Sequence, residues 1–144
     1  MSIIFSKKCE YGLQAVLFLS AKGLGEVYSA EEISEHLRIP KEFVSKILQQ
    51  LTATGIVDSK KGKKGGFFLG KKSSQIRLLD IVLAIDGDGI FSNCVLGFPS
   101  CSHDTPCPLH NEWGSLIKKT KEMLTKQTID KFTTRTLKKI STIK

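Results

Sequence analysis

From the N-terminus, the apolar residues first fall into a helical rhythm. Over residues 6–22, Cys9, Leu13, Val16, Leu17 and Ser20 mark one face, and Tyr11, Ala15, Phe18 and Leu19 mark another. Apolar character on two faces predicts a helix packed on both sides. Ser6 can cap it and Gly23 can end it, with Gly23 to Tyr28 as a connector. Ser29-Ala30-Glu31-Glu32 is a capping box, in which the Ser oxygen takes an early helical amide and Glu32 reaches back. The short helix that follows turns Ile33 and Leu37 inward and breaks at Arg38-Ile39-Pro40. Pro40 suits the start of the next helix, predicted over residues 40–54. Phe43, Val44, Ile47, Leu48 and Leu51 form its expected buried stripe, and Gly55 its stop.

Two short helices joined by a few residues predict a helix-turn-helix. Residues 56–59 and 67–69 read as strands, and between them three glycines sit among four lysines. A hairpin placed directly after a helix-turn-helix is a wing. A further helix, 78–85, turns Leu78, Leu79, Val82 and Ile85 inward and stops at Gly87. Residues 87–107 read as a loop without elements, a length that is uncommon unless the loop is functional or disordered. From Pro108 a long helix carries Leu109, Trp113, Leu116, Thr120, Met123 or Leu124, and Gln127. That near-heptad spacing suits a helix–helix seam. Residues 128–140 are amphipathic through Ile129, Phe132, Leu137 and Ile140.

Charge changes the picture more than bulk composition does. The 144 residues hold 22 Lys and Arg against 14 Asp and Glu, a net charge of +8. The excess favours a polyanion, either nucleic acid or an anionic membrane. It is also segregated along the chain. Residues 59–78 carry seven basic residues and no acid. Residues 79–114 carry five acids and no Lys or Arg. Residues 115–144 carry nine basic residues against two acids. No apolar run approaches the ~18–20 residues of a bilayer span. Lys7-Lys8 followed by 13–21 superficially resembles a leader peptide, but Glu10 interrupts the positive charge and no small-x-small cleavage site follows. The expectation is a cytoplasmic protein with no membrane partner.

On the third helix the positions free of packing are Lys41, Glu42, Ser45, Lys46, Gln49 and Gln50. A recognition helix needs such an outward polar face near its N-terminal half. Lys41 or Lys46 can donate to guanine, Glu42 can accept from the cytosine amino group, and Gln49 can pair with adenine. In the wing, Gly62, Gly65 and Gly66 permit a tight turn, while Lys61, Lys63 and Lys64 can neutralise phosphates or enter a minor groove. Double-stranded DNA is therefore the expected partner. The plainer alternative for both faces is solvated surface.

The candidate chemistry lies in the acidic segment. Cys94, Cys101, Cys107 and His110 are spaced C-x6-C-x5-C-x2-H. Thiolates and imidazole are soft ligands, suited to iron–sulfur clusters or zinc. The spacing is wider than the short knuckles of structural zinc and suits a larger cluster. A Cys₃His zinc site, a redox disulfide and unliganded thiols remain open on spacing alone. The start of the long helix is expected to favour the thiolate at Cys107. Cys9, on the buried side of the first helix, reads as plain core. An enzyme is not expected: no Cys-x-x-Cys pair, nucleotide fingerprint or G-x-S-x-G elbow is present.

Several segments together resemble the Rrf-two family of winged-helix regulators. They are Phe5-Ser6-Lys7-Lys8-Cys9-Glu10-Tyr11-Gly12, the helix-turn-helix, the wing Lys61-Gly62-Lys63-Lys64-Gly65-Gly66-Phe67-Phe68-Leu69, and the stretch from Leu79 to Gly87. The resemblance covers nearly the whole chain. The three loop cysteines are similar to those of its cluster-binding members, the iron–sulfur cluster regulator and the nitric-oxide-sensing repressor. The resemblance implies a homodimer joined through the long helix, a 2Fe-2S or 4Fe-4S cluster in each subunit, and a palindromic operator. It implies His110 as fourth ligand in one branch and, in the other, the residue at the position of Glu10, from the partner subunit. The expected fold is mainly α with a small β-hairpin: a winged helix-turn-helix with a long C-terminal dimerisation helix. The expected division is a DNA-binding domain over 1–87, a cluster loop over 88–107, and dimerisation and C-terminal helices over 108–144. The expected function is a cluster-controlled transcription regulator, acting as a repressor. The alternative is a regulator of the same family controlled by thiol redox, or binding DNA without a cluster.

Overall fold

A computed structural model describes residues 4–143. Its first helix, α1 (Lys7–Lys22), begins where Ser6 accepts the Cys9 N–H at 3.0 Å and ends at Gly23 with φ of 110°. Such a cap contributes about 1 kcal/mol. Helix α1 is the central post of the molecule: Cys9, Val16, Phe18 and Leu19 are buried on it. Gly12 lets its neighbours approach, because a β-carbon there would collide with Ile85 and press on Ile47.

The capping box is complete at the start of α2 (Ala30–Leu37), with Ser29 and Glu32 exchanging two 3.1 Å bonds. Arg38 adopts a left-handed conformation (φ 56°) that ends α2. After Ile39 and Pro40, α3 (Lys41–Ala53) begins. Val44, Ile47, Leu48 and Leu51 are buried against α1 and α2. Phe43 is not: it is 50% exposed, against the expectation of a buried stripe. The other four residues already complete the inward face. Phe43 leans edge-on against Tyr11, with ring centroids 5.9 Å apart.

Strand β1 (Val57–Lys60) pairs antiparallel with β2 (Gly66–Leu69), Val57 opposite Leu69 and Lys60 opposite Gly66. The stretch before Ser29 is more than a connector. Tyr28 and Phe67 exchange both backbone bonds, at 2.9 and 2.7 Å, fastening the wing to the helices. Gly66 allows this approach, since a β-carbon there would strike the Tyr28 carbonyl.

Helix α4 (Leu78–Asp86) follows a 3₁₀ turn at Ser73–Gln75. Ile81 and Val82 are fully buried, whereas Leu78 is half-buried. Asp80 steadies the helix start by accepting from the Arg77 backbone N–H at 2.9 Å and its guanidinium at 2.7 Å. Burial pushes the Asp80 carboxyl up, but the bonds from Arg77 outweigh it and hold the group below the usual range.

The segment read as a structureless loop contains one helical turn, α5 (Gly89–Ser92). Ile90 and Phe91 pack on the core, which gives the turn its anchor. Helix α6 (His110–Lys126) buries Ile117 and Leu124 and packs on α4, but leaves Leu109, Leu116 and Met123 about half exposed. The chain then returns to the winged domain. Leu78 donates to the Gln127 carbonyl and Ile129 to the Ile76 carbonyl, each at 2.9 Å, and Ile129 is fully buried. Past a 3₁₀ turn at Ile129–Phe132, α7 (Thr133–Ile140) lies along α1.

Candidate functional site

Two features stand out, a polar helix face with its wing and a cleft lined by thiols. Lys41, Glu42, Lys46 and Gln49 are exposed on α3, and Ser45 is half-buried. Lys41 occupies the first helical position, where a cation is disfavoured by the helix dipole. Its ion-pair partner, Glu31 on α2, lies 3.9 Å away, and both side chains are largely solvent-exposed. Such a pair contributes little and leaves the ammonium available to an external anion. Gln50 departs from the expected outward face. Its amide donates to the Ala84 and Ile85 carbonyls at 3.0 and 3.3 Å, tying α3 to the end of α4. Phe43 stands on the outer surface instead, where an apolar side chain can meet a thymine methyl.

In the wing, Lys61, Gly62, Lys63 and Lys64 are all exposed. Gly65 donates to the Gly62 carbonyl at 3.0 Å, and Gly62 takes a φ of 108° that side-chain-bearing residues rarely adopt. Three ammonium groups are thereby carried on a short, tight turn. None of them is ion-paired among the described residues.

The cysteine segment folds back on itself. A turn closed by the bond from the Gly97 N–H to the Cys94 carbonyl follows the first thiol. A left-handed Ser100 (φ 58°) precedes the second, and the third sits just before α6, where His110 donates its N–H to the Cys107 carbonyl at 3.1 Å. As a result the Sγ atoms of Cys94, Cys101 and Cys107 all lie within 4.8 Å of one another. The Nδ1 of His110 lies 3.2 Å from the Cys101 Sγ. His103 stacks edge-on against His110, with centroids 5.1 Å apart, a neighbour that spacing alone did not single out. Phe91, Trp113 and Ile117 wall the same cleft, whose volume is about 620 Å³.

The thiols differ in acidity. Partial burial pushes Cys94 up, but backbone hydrogen bonds at Phe98 and Leu96 and the neighbouring thiols outweigh it, so the net direction is down. Cys107 goes the other way: burial raises it, the backbone hydrogen bond at Leu109 opposes this, and the Cys94 and Cys101 thiols raise it further. The net direction at Cys107 is therefore opposite to the thiolate expected at the helix start, with burial as the largest cause. Cys9 stands apart, fully buried on α1, its thiol pushed up to about 12 by burial and then by Asp86. Glu10 lies 3.9 Å from Lys7 through one oxygen. Its other oxygen, Oε2, is buried without a hydrogen-bond partner among the described residues.

A helix-turn-helix followed by a two-stranded wing defines a winged-helix transcription regulator. Residues 5–135 match the Rrf2 (Rrf-two) family, described as iron-dependent transcriptional regulators. The chain belongs to that family of transcriptional regulators. A protein of Aquifex aeolicus (strain VF5), named as an HTH-type transcriptional regulator, is 34% identical over 116 residues, 79% of this chain and 80% of its own. The fold is shared with CymR, the global cysteine regulator of B. subtilis. That structure superposes with a TM-score of 0.75 at 23% identity, covering 91% of this chain and 96% of CymR. T. potens IscR superposes with a TM-score of 0.68 at 23% identity, covering 90% and 86%. No helix among the described residues is long and apolar enough to cross a membrane.

Proposed function

We propose that the chain is a homodimeric repressor whose operator affinity is set by an iron–sulfur cluster held by Cys94, Cys101, Cys107 and His110. The observation that carries this reading is the convergence of three thiols within 4.8 Å of one another, with an imidazole nitrogen 3.2 Å from one of them. Among the described residues no disulfide ties them. The donor set, three thiols and an imidazole, suits iron or zinc. A 2Fe-2S or 4Fe-4S cluster supplies, when bound, a redox-sensitive crosslink between these thiolates. Glu10 of the partner subunit is the alternative fourth ligand.

The chain's own residues do the rest. Cys94 and Cys101 fix the loop, and Cys107 and His110 fix the start of α6. Leu109, Leu116 and Met123, seven residues apart, offer a seam to a second copy. Two recognition helices then face a palindromic operator at a separation set by the seam. Lys41, Glu42, Ser45, Lys46 and Gln49 read bases, while Lys61, Gly62, Lys63 and Lys64 grip the backbone.

The second reading replaces the cluster with a disulfide among the same thiols, which already lie close together. Anaerobic purification with a visible spectrum and iron and sulfide analysis separates the two. A brown protein whose iron is lost in each of Cys94→Ala, Cys101→Ala and Cys107→Ala supports the cluster. His110→Ala should leave a labile cluster. Bleaching by Glu10→Ala but not by His110→Ala would move the fourth ligand to the partner. Iron content indifferent to every cysteine would leave the thiol-redox reading.

A further inference from the structure

A second groove lies away from the thiols, between α1, the end of α2 and α7. Its volume, about 620 Å³, falls within the ~300–1,000 Å³ typical of small-molecule sites. Leu17, Leu37, Phe132, Ile140 and Ile143 make its walls apolar. Its polar rim is of one sign. Arg135 and Lys139 stand one helical turn apart on α7, and no acidic side chain among the described residues lines the groove.

Neither cation is ion-paired with a described residue. The Arg135 guanidinium instead lies 4.8 Å over the ring of Phe132, itself a wall residue, which holds its donors beside the groove. Two like charges at i and i+4 repel each other, and an anion between them relieves that cost. A guanidinium fork takes both oxygens of a carboxylate, and an ammonium adds a point charge. The walls ask for an aliphatic body behind that head, because buried methylenes gain from leaving water.

We propose that this groove binds a single-chain amphiphilic carboxylate of the fatty-acid class. The head would sit between Arg135 and Lys139, and the tail would run between Leu17, Leu37 and Ile140.

Isothermal titration of the full chain with decanoate, kept below its micelle concentration, tests this. The expected result is saturable binding at one site per chain, weakened at least about tenfold by Arg135→Gln with Lys139→Gln. Those side chains reach the groove from the rim, so the paired variant should keep its circular dichroism spectrum. Thr136→Phe, which fills the groove, should remove binding. Butyrate, which lacks the tail, and decyltrimethylammonium, which has the wrong charge, should bind far more weakly. Decanoate binding unchanged by the paired charge variant, or matched by decyltrimethylammonium, overturns the proposal. So does the absence of saturable heat. If decanoate gives none and Thr136→Phe changes the sedimentation of the protein, a second copy covers the groove instead.

Discussion

Ser6 donates both its backbone N–H, at 2.9 Å, and its hydroxyl to the carboxylate of Asp86, eighty residues away. One residue caps α1, and the other ends α4 immediately before the cysteine-bearing segment. Gln50 holds the Ala84 and Ile85 carbonyls from the side of α3. The end of α4 is therefore held both by the start of α1 and by α3.

Cutting that tie has a measurable cost. Ser6→Ala removes a helix cap and a bond to a charged group, and should destabilise the protein by about 1–3 kcal/mol. Asp86→Ala should cost a similar amount. In urea unfolding the double variant should lose less than the two singles together, with a coupling of about 0.5–3 kcal/mol. Strict additivity would mean that the two residues act independently.

The Cys9 thiol gives a pH prediction with a definite sign. Its ordinary value is 9.0, and burial, followed by the Asp86 carboxylate, pushes it up to about 12. Below pH 9 both folded and unfolded chains keep the proton, and the contribution to stability is whole. Between pH 9 and about 12 the unfolded chain releases the proton while the native chain retains it, so stability falls as pH rises. Cys9→Ala should flatten that fall relative to the parent chain. In the metal-free native protein at pH 8, an alkylating reagent should modify the three loop cysteines and spare Cys9 until the protein unfolds.

Adjacent glutamines should behave differently. Gln49→Ala should cost roughly 1–3 kcal/mol at one base position and leave stability nearly unchanged. Gln50→Ala should cost about 1 kcal/mol of stability through its lost bonds to α4 and leave base preference intact. Lys61→Ala and Lys63→Ala should weaken binding to all duplexes alike and reduce the salt slope by about 1 each. Fluorescence anisotropy on specific and random duplexes reads the binding of all four, and urea unfolding reads the stability of the two glutamine variants. A Gln50 variant with altered base preference would return that residue to the DNA-reading face.

Much of this was legible because the punctuation was chemical. Ser6, the Ser29–Glu32 box, Pro40, Gly23 and Gly87 mark helix ends by hydrogen-bonding and dihedral preferences that are local to the chain. The convergence of Cys94, Cys101 and Cys107 followed from soft ligands spaced along one loop. What escaped depends on distant partners. Phe43 has the right spacing for the core, yet Val44, Ile47, Leu48 and Leu51 fill the inward face without it. Gln50 has no sequence signal that would separate it from Gln49, because its partners are carbonyls thirty-four and thirty-five residues away. The Tyr28–Phe67 bridge and the turn at Gly89–Ser92 likewise exist because of tertiary neighbours. The opposite directions at Cys94 and Cys107 depend on their mutual geometry.

The seam proposed for a second copy makes its own prediction. Leu116 is 52% exposed and Met123 47% exposed on one stripe of α6, whereas Ile117 and Leu124 on the adjoining stripe are buried. Leu116→Lys should convert a dimer to a monomer in sedimentation without unfolding the winged domain. Ile117→Lys should unfold it, because that side chain faces the interior. A dimer indifferent to Leu116→Lys would place the subunit contact elsewhere.

If the thiol site governs DNA binding, its loss should change operator affinity. A duplex selected by the anaerobic, iron-loaded protein is titrated in fluorescence anisotropy against that protein and against Cys94→Ala/Cys101→Ala/Cys107→Ala at equal dimer concentration. The affinities should differ by at least about tenfold, or ~1.4 kcal/mol, with unchanged binding to random DNA. Equal affinity for the selected duplex, with iron present in one protein and absent from the other, would contradict it.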